Sequence, residues 1–165
     1  MLSLFIKLLF KINLMNSLIK GALMVLALVP IFIVSFFFYK AEQSKKMSPP
    51  STLKNHQLAK CGQKPNCVSS FQHKTDKEHY IAPMKFNINP IEKVDVFLKK
   101  SCQLVSSTET YKHYECQSSF FGFTDDVEIF FKDNKLHFRS ASRVGHSDLG
   151  ANRKRINQLK QHLIK

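Results

Sequence analysis

The segment Thr124–Ser142, "TDDVEIFFKDNKLHFRSAS", gives the clearest indication of the fold in this sequence. Apolar and polar residues alternate in both of its halves, which is the pattern of a β-strand with one face toward a core. Asp133 and Asn134, between the halves, suit a two-residue hairpin turn. The segment therefore predicts two antiparallel strands. The first of them carries three acids, although the chain as a whole has a net charge of +13.

The predicted turn fixes which residues of the hairpin face one another. Counting outward from it places Glu128 directly opposite Arg139. Alternation then separates an apolar face from a polar one. We call the polar side of the hairpin the acid–arginine face, and its members are Asp126, Glu128, His137, Arg139 and Arg143. The acids thus have arginines as neighbours within the predicted sheet.

The strand before this hairpin is predicted to join it through a second tight turn, at Phe121 and Gly122. In that register Glu115 lies beside Glu128. Two like charges that face each other destabilise a sheet unless a cation lies between them. Arg139, on the next strand, is the cation that we expect there.

Four strand candidates and two helix candidates make up the predicted domain. Short turns join the strands, which favours an antiparallel meander. The strand candidates are Cys102–Ser107, Tyr111–Ser118, Thr124–Phe131 and Lys135–Ser142. One helix precedes them and one follows them. The sequence therefore predicts an α+β fold in which both helices pack on one face of a four-stranded sheet.

Capping signals mark where the two helices begin. In "NPIEKVDVFLKK", residues 89–100, Asn89 can cap the helix and Pro90 suits its first position. In "SDLGANRKRINQLKQHLIK", residues 147–165, the predicted cap is Ser147 or Asp148. The apolar stripe predicted for this second helix consists of Leu149, Ile156, Leu159 and Leu163.

The N-terminal part of the chain contains a long apolar stretch, Gly21–Tyr39, with nineteen residues and no charge. A helix of that length spans roughly 28 Å, close to the ~30 Å hydrocarbon core of a bilayer. We therefore predict a transmembrane anchor over residues 18–39, after a separate apolar and basic segment over residues 1–17. A cleavable signal sequence is the alternative for the anchor. For the first segment, a translation start at Met15 and a position along the membrane surface both remain open.

A polar stretch follows at residues 40–60, where Pro49 and Pro50 are flanked by serines. This composition is typical of a linker between a helix and a domain. The folded domain is accordingly predicted to cover residues 61–165.

All four cysteines, Cys61, Cys67, Cys102 and Cys116, lie in the predicted domain. An even number of cysteines after an export-type segment favours disulfides and an oxidising compartment. We therefore expect a single-pass protein of the plasma (inner) membrane with its domain on the extracytoplasmic side. Two disulfides are predicted, and one disulfide with two thiols is the next alternative. Free thiols throughout would indicate a cytoplasmic domain instead.

Other roles for the cysteines fit the sequence less well. A zinc site formed by Cys61, Cys67, His73 and His79 has none of the usual ligand spacings, so no metal site is predicted. A catalytic cysteine needs a base, and no histidine can be assigned to that role from the sequence.

Two interpretations of the acid–arginine face remain open. It is either a solvated surface with cross-strand ion pairs or a ligand-binding or catalytic surface to which Glu115 and His146 also contribute. If the surface is catalytic, the candidates for acid–base work are Asp126, Glu128, Arg139 and His146.

The turn "SASRVGHSDLG", residues 140–150, leads from the last strand into the last helix and is the best place for a pocket. A helix start offers backbone N–H groups to an anion. Arg143, His146 and Arg153 would add positive charge there. The alternative is a capped helix start with solvated side chains.

Four motifs stand out along the predicted domain, namely "CGQKPNCVSS" (61–70), "HYIAPM" (79–84), "FTDDVE" (123–128) and "RSASRVGHSDLGANRKR" (139–155). Together they resemble the domain-of-unknown-function family DUF1499. The resemblance covers residues 61–165 and implies a small exported or membrane-attached protein, with no established activity. Two positions depart from the family pattern: Thr124 stands where an apolar residue is expected, and Gln117 stands where an arginine is common.

The sequence as a whole favours a membrane-anchored envelope protein with a non-enzymatic domain that binds an anionic ligand or a protein partner. A hydrolase that uses the acid–arginine face is the alternative, and a purely structural role is the third hypothesis. We expect no cofactor. Nucleic acid is not an expected partner either, because the basic residues are scattered and no aromatic platform or zinc finger accompanies them.

Overall fold

The computed structural model describes residues 2–49 and 53–165. Met1, one of the two translation starts considered, and Pro50, part of the predicted linker, lie outside the described residues. The chain divides into two compact units, Met1–Tyr39 and Lys40–Lys165.

Helix α1, Leu2–Lys46, runs through the described part of the first unit and continues past Pro30. Its stretch Asn16–Lys46 has a mean hydropathy of 2.6 and is long and apolar enough to cross a membrane. Within residues 2–49 and 53–165 it is the one helix of this kind. A helix with these properties near an N-terminus serves as a membrane anchor or as a signal sequence. The last seven residues of α1 belong to the second unit.

The second unit is an α+β domain with an antiparallel sheet, as predicted. Its elements are β1 (Cys67–Ser69), β2 (Met84–Lys85), α2 (Ile91–Leu98), β3 (Cys102–Ser107), β4 (Tyr111–Gln117), β5 (Thr124–Lys132), β6 (Lys135–Ser142) and α3 (Ala151–Leu163). The sheet order is β1-β6-β5-β4-β3, and β2 also pairs with β6. The described sheet thus has six strands instead of the four predicted, because β1 and β2 add to the outer edge of β6.

The β5–β6 hairpin has the predicted register. Glu128 pairs with Arg139, and Lys132 pairs with Lys135. The turn residues Asp133 and Asn134 have φ angles of +49° and +55°. Asp and Asn adopt this left-handed conformation more readily than most residues do. The turn predicted from the sequence is therefore confirmed.

The β4–β5 hairpin differs from the prediction by two residues. Glu115 pairs with Asp126 instead of Glu128, whose partner is His113. The cause is a longer loop, Ser118–Phe123, which is closed where the Ser118 N–H donates to the Phe123 carbonyl at 2.9 Å. The predicted two-residue turn at Phe121 and Gly122 is therefore wrong.

The main core lies between the sheet and the two helices that follow α1, on a side that we call the helix face. Its central residues are Val127, Ile129, Leu136 and Phe138 from the sheet, and Val94, Leu98, Ile156 and Leu159 from α2 and α3. Burying a side chain of this size contributes about 1.5–3 kcal/mol. Both helices thus pack on one face of the sheet.

One member of the predicted helical stripe lies elsewhere. Leu149 precedes α3, has a φ of +53° and is 97 % exposed. The helix begins at Ala151, so Leu149 does not share the face of Ile156 and Leu159. Its assignment to the core was wrong.

Two disulfides are present, Cys61–Cys67 and Cys102–Cys116. The second joins paired residues of β3 and β4. Disulfides persist in oxidising compartments, which agrees with a domain outside the cytoplasm. The first disulfide also occupies both thiolates that the zinc alternative required.

Candidate functional site

The acid–arginine face of the sheet is buried. Asp126 is 1 % exposed and Glu128 is completely covered. Part of the cover comes from the stretch that precedes β1, where Leu58 packs against Tyr111 and Phe130. The interpretation of this face as a solvated surface with weak ion pairs is therefore wrong. Because its acids are buried, each of them needs a partner that offsets the cost of removing its charge from water.

Glu128 is held by one neighbour from each adjacent strand. The Tyr111 hydroxyl donates to its Oε1 at 2.8 Å, and Nη1 of Arg139 donates to its Oε2 at 3.0 Å. Burial first, and then the negative charge of Glu128, raise the pKa of Tyr111. The tyrosine thus stays a hydrogen-bond donor at every physiological pH.

Asp126 receives hydrogen bonds from two cationic or ionisable side chains. Arg143 donates to it through Nε and Nη2, both at 2.8 Å, and His113 donates through Nε2 at 2.7 Å. Burial opposes the ionisation of Asp126. The hydrogen bonds from Arg143 and His113 outweigh that effect and hold the pKa of its carboxyl below its usual range. The buried acid is therefore ionised.

Arg143 connects this acid to a second one and to the end of α1. Its Nη2 also donates to Glu115, and its Nη1 donates to the carbonyl of Met47 at 2.6 Å and to that of Ser44 at 3.4 Å. The hydrogen bonds to Asp126, followed by those to Glu115, raise the pKa of the guanidinium against the effect of burial. The last carbonyls of a helix have no partner within the helix. Arg143 supplies one here.

Ser44 adds a further bond between the end of α1 and β5. Its hydroxyl accepts from the backbone N–H of Thr124 at 3.0 Å and donates to the carbonyl of Ala41 at 2.7 Å. Ala41 and Ser44 are both buried. The final turns of α1 are therefore part of the domain fold, although the sequence places them in a stretch typical of a linker.

The remaining acid of β5, Asp125, points to the helix face and has an arginine of its own. Nη2 of Arg155, from α3, donates to it at 2.7 Å. Arg155 also donates to Asn152 at 2.9 Å, and Asn152 donates to the backbone carbonyl of Asn66 at 3.1 Å. Asp125 and Asp126 are neighbours in sequence, yet they serve separate networks on opposite sides of the sheet.

At the start of α3, where an anion pocket was predicted, the backbone N–H groups that could bind an anion already have a partner within the chain. The Asp148 carboxylate accepts from the N–H groups of Gly150 at 3.0 Å and Asn152 at 2.8 Å. Arg153 donates to the backbone carbonyls of Lys77, Glu78 and Tyr80. The depression beside these residues, of about 270 Å³, therefore has a carboxylate at the helix start, where an anion would bind.

The structure brings together some of the predicted site residues and leaves others apart. Glu115, Asp126 and Arg143 form one cluster, and Glu128 and Arg139 form an ion pair beside it. Arg153 bonds to backbone carbonyls instead, and His146 is exposed.

Several residues of the networks were missed by the sequence analysis. They are Ser44, Tyr111, His113, Asn152 and Arg155. Alternation along β4 is a signal that would have found two of them, because Tyr111, His113 and Glu115 share one face. No local pattern marks Ser44, which meets its partner across 80 positions of the chain.

This arrangement can hold parts of the protein together, but it offers little for catalysis. A general acid or base must reach the proton that it transfers, and the acids of β5 are buried and bonded. No group of three or more metal-ligating side chains occurs among the described residues.

Comparison with known proteins yields a family and no function. Residues 57–163 match the family model described as "Protein of unknown function (DUF1499)". No curated protein and no solved structure was found to be similar to the chain.

Proposed function

Since the chain belongs to the DUF1499 family, we propose its function from the structure: it is a single-pass protein of the plasma (inner) membrane whose extracytoplasmic domain binds an anionic ligand or an acidic envelope protein without catalysis. The anchor in this proposal is α1, with residues 18–39 in the membrane. The two disulfides support an oxidising compartment for the domain.

The distribution of charge over the domain carries the proposal. The acids of β5 are buried with their arginines, whereas most lysines lie outside. Within residues 53–165, four acids are exposed, namely Glu78, Glu92, Glu109 and Asp133. Thirteen lysines are exposed: Lys54, Lys60, Lys64, Lys74, Lys77, Lys85, Lys93, Lys99, Lys100, Lys132, Lys135, Lys154 and Lys165. Exposed lysines thus greatly outnumber exposed acids in residues 53–165, and the surface of the domain has a strong net positive charge.

A surface of this kind attracts anions over distances of about a Debye length, ~8–10 Å at physiological salt. Lysine is well suited to such contacts, since it is a mobile point charge that needs no fixed geometry. The arginines, which bind carboxylates in a fixed geometry, are used inside the fold. We therefore assign ligand attraction to the lysines and internal cohesion to the arginines.

The hydrolase alternative receives no support from the arrangement of the acids. Asp126 and Glu128 are buried, and each already accepts two or more hydrogen bonds. His146, the predicted acid–base partner, is exposed and makes no hydrogen bond within the part of the chain that is described.

A binding experiment with the full-length protein tests the proposal. The protein is placed in nanodiscs of neutral lipid and mixed with vesicles that contain phosphatidylglycerol, with vesicles of neutral lipid, or with polyglutamate. We expect binding to the anionic vesicles or to polyglutamate, and none to neutral vesicles. Binding should weaken steeply as salt is added, because exposed charges are screened.

Charge variants identify the surface that binds. Neutralising Lys74, Lys77, Lys132 and Lys135 together as glutamines should weaken binding, whereas the matched control Glu92→Gln with Glu109→Gln should leave it unchanged or stronger. All of these residues are exposed, so the fold should be unaffected. Absence of binding to both anionic probes, or binding that ignores salt and the lysine variant, would overturn the proposal.

A further inference from the structure

The loop between β4 and β5, Ser118–Phe123 or "SSFFGF", has three phenylalanines in four positions, and we call it the aromatic loop. Phe120 is 76 % exposed. Its ring lies edge-on to that of Phe121, with the ring centroids 4.7 Å apart. An exposed phenylalanine ring does not gain the free energy that burial in an apolar environment would contribute, so a partner that covers Phe120 with apolar groups would be stabilising.

The shape of the aromatic loop is fixed by its own hydrogen bonds. The Ser118 hydroxyl accepts from the Phe123 N–H at 2.9 Å, and the Ser118 carbonyl accepts from the Gly122 N–H at 3.0 Å. Gly122 has a φ of +75°, which a glycine adopts without strain. Phe120 is thus presented on a closed loop, and its exposure is a property of the fold.

The aromatic loop lies against the last turns of α1. A Cβ atom placed on Gly122 would be 3.4 Å from Cε and Nζ of Lys45. Thr124, which follows the loop, bonds to Ser44 as described above. Lys40 is the first residue after the uncharged stretch, and five residues of helix from Lys40 to Lys45 rise about 7.5 Å. The headgroup layer of a bilayer is about as thick, roughly 5–7 Å on each side.

We infer that the aromatic loop is a second membrane contact, in which Phe120 enters the interfacial layer of the bilayer. Lys45 and Lys46 then lie among anionic headgroups. Apolar rings with nearby lysines are the composition of segments that bind this layer. The inference rests on the proposed membrane anchor, and it adds that the aromatic loop touches lipid as well. A lipid surface is favoured over a protein groove as the occupant because the loop lies beside Lys45, in the basic last turn of α1.

The chain contains no tryptophan, so a single tryptophan can report on the loop. The full-length variant Phe120→Trp is reconstituted into vesicles whose lipids carry bromine atoms near the headgroup end of the acyl chains. The matched control is Ile88→Trp. Ile88 is 82 % exposed and lies next to Asn89, which bonds to Glu109 at the opposite end of β4 from the aromatic loop.

We expect the emission of Phe120→Trp to shift to shorter wavelength and to lose intensity in brominated vesicles, while Ile88→Trp emits as in water. Both variants should float with the vesicles and retain both disulfides. Equal emission from the two variants in floating protein would overturn the loop contact and leave the anchor standing. Failure of both variants to float would overturn the anchor and the loop contact together.

Discussion

The two faces of the sheet are both buried, but they are built from different materials. The helix face is covered by α2 and α3 and is filled mainly with aliphatic and aromatic side chains. The acid–arginine face is covered by the end of α1 and by Leu58, and it consists largely of charged and hydrogen-bonding groups. One face of this small sheet is therefore held mainly by apolar packing, and the other mainly by ion pairs and hydrogen bonds.

The contrast teaches how a strand with three acids can lie inside a domain. Each acid of β5 has its own arginine: Asp125 has Arg155, Asp126 has Arg143, and Glu128 has Arg139. Replacing such pairs by apolar residues often stabilises a protein, so buried ion pairs do not by themselves explain stability. Their geometry does specify one register, because a shift of one residue would turn the acids toward the wrong face.

The largest difference in stability between the two faces is expected when one arginine is removed from each of them. Arg143→Met leaves Asp126 and the end of α1 without their main donor, and we expect the free energy of unfolding to fall by about 3–5 kcal/mol. Arg155→Met should cost less, about 1–3 kcal/mol, because its side chain is 17 % exposed and Asp125 keeps the Ser142 hydroxyl as a donor. Urea unfolding of the full-length protein in detergent measures both.

Lys154→Met is the control for these two variants, since Lys154 is exposed on the same helix as Arg155. It should change stability by no more than about 0.5 kcal/mol. If Arg155→Met proves more damaging than Arg143→Met, the view that the acid–arginine face depends more heavily on its charges is wrong.

Two tyrosines of β4 offer a finer comparison, because their hydroxyls donate to acids on opposite faces. Tyr111 donates to the fully buried Glu128, and Tyr114 donates to Asp95, which also accepts from Lys112 and Lys99. Tyr111→Phe should lower the free energy of unfolding by about 1.5–3 kcal/mol, and Tyr114→Phe by about 0.5–1.5 kcal/mol. The same urea titration decides this, and equal losses would count against the difference.

Acid should weaken the acid–arginine face through Asp126. Its pKa in the folded state lies below its usual value of 3.8, so its contribution is complete above that value and is lost as the pH falls through the folded-state pKa. We expect the urea midpoint to drop between about pH 5 and pH 2. Asp126→Asn should reduce this pH dependence without abolishing it, because the pKa of Asp95 is lowered as well. An unchanged slope in that variant would refute the assignment.

The smallest effect is expected from His137, on the same face. Burial, followed by the nearby charge of Lys135, lowers its pKa below the usual 6.5. The unfolded chain therefore binds a proton more readily than the folded one, and stability should fall slightly as the pH decreases from about 7 to 5. In His137→Gln the urea midpoint should change less over this range. A steeper dependence in the variant would contradict the prediction.

The parts of the fold that depend on local patterns were predictable from the sequence. The turn at Asp133 and Asn134 fixed the β5–β6 register, and alternation assigned Asp126 and Glu128 to one face. The same counting failed for β4 because its loop is longer than a tight turn, and no rule of composition shows that Ser118 closes it.

The cover over the acid–arginine face was not predictable, because it depends on contacts between distant segments. A polar stretch with prolines is typical of a linker, yet Leu58 and Ser44 within it are buried. The short strands β1 and β2 were missed for a similar reason, since each has three residues or fewer and is defined by its pairing with the distant β6. The candidate residues were therefore found, whereas their burial, which decides their role, was not.

The bond between Arg143 and the Met47 carbonyl spans 96 positions of the chain. A ribosome adds about 5–20 residues per second, so Arg143 is made roughly 5–20 s after Met47. Until then the end of α1 and the stretch around Leu58 lack the complete sheet against which they pack in the folded domain, and their polar groups are hydrated. Completion of the domain must therefore wait until Arg143 has been synthesised, and the nascent chain stays exposed to its surroundings for that time.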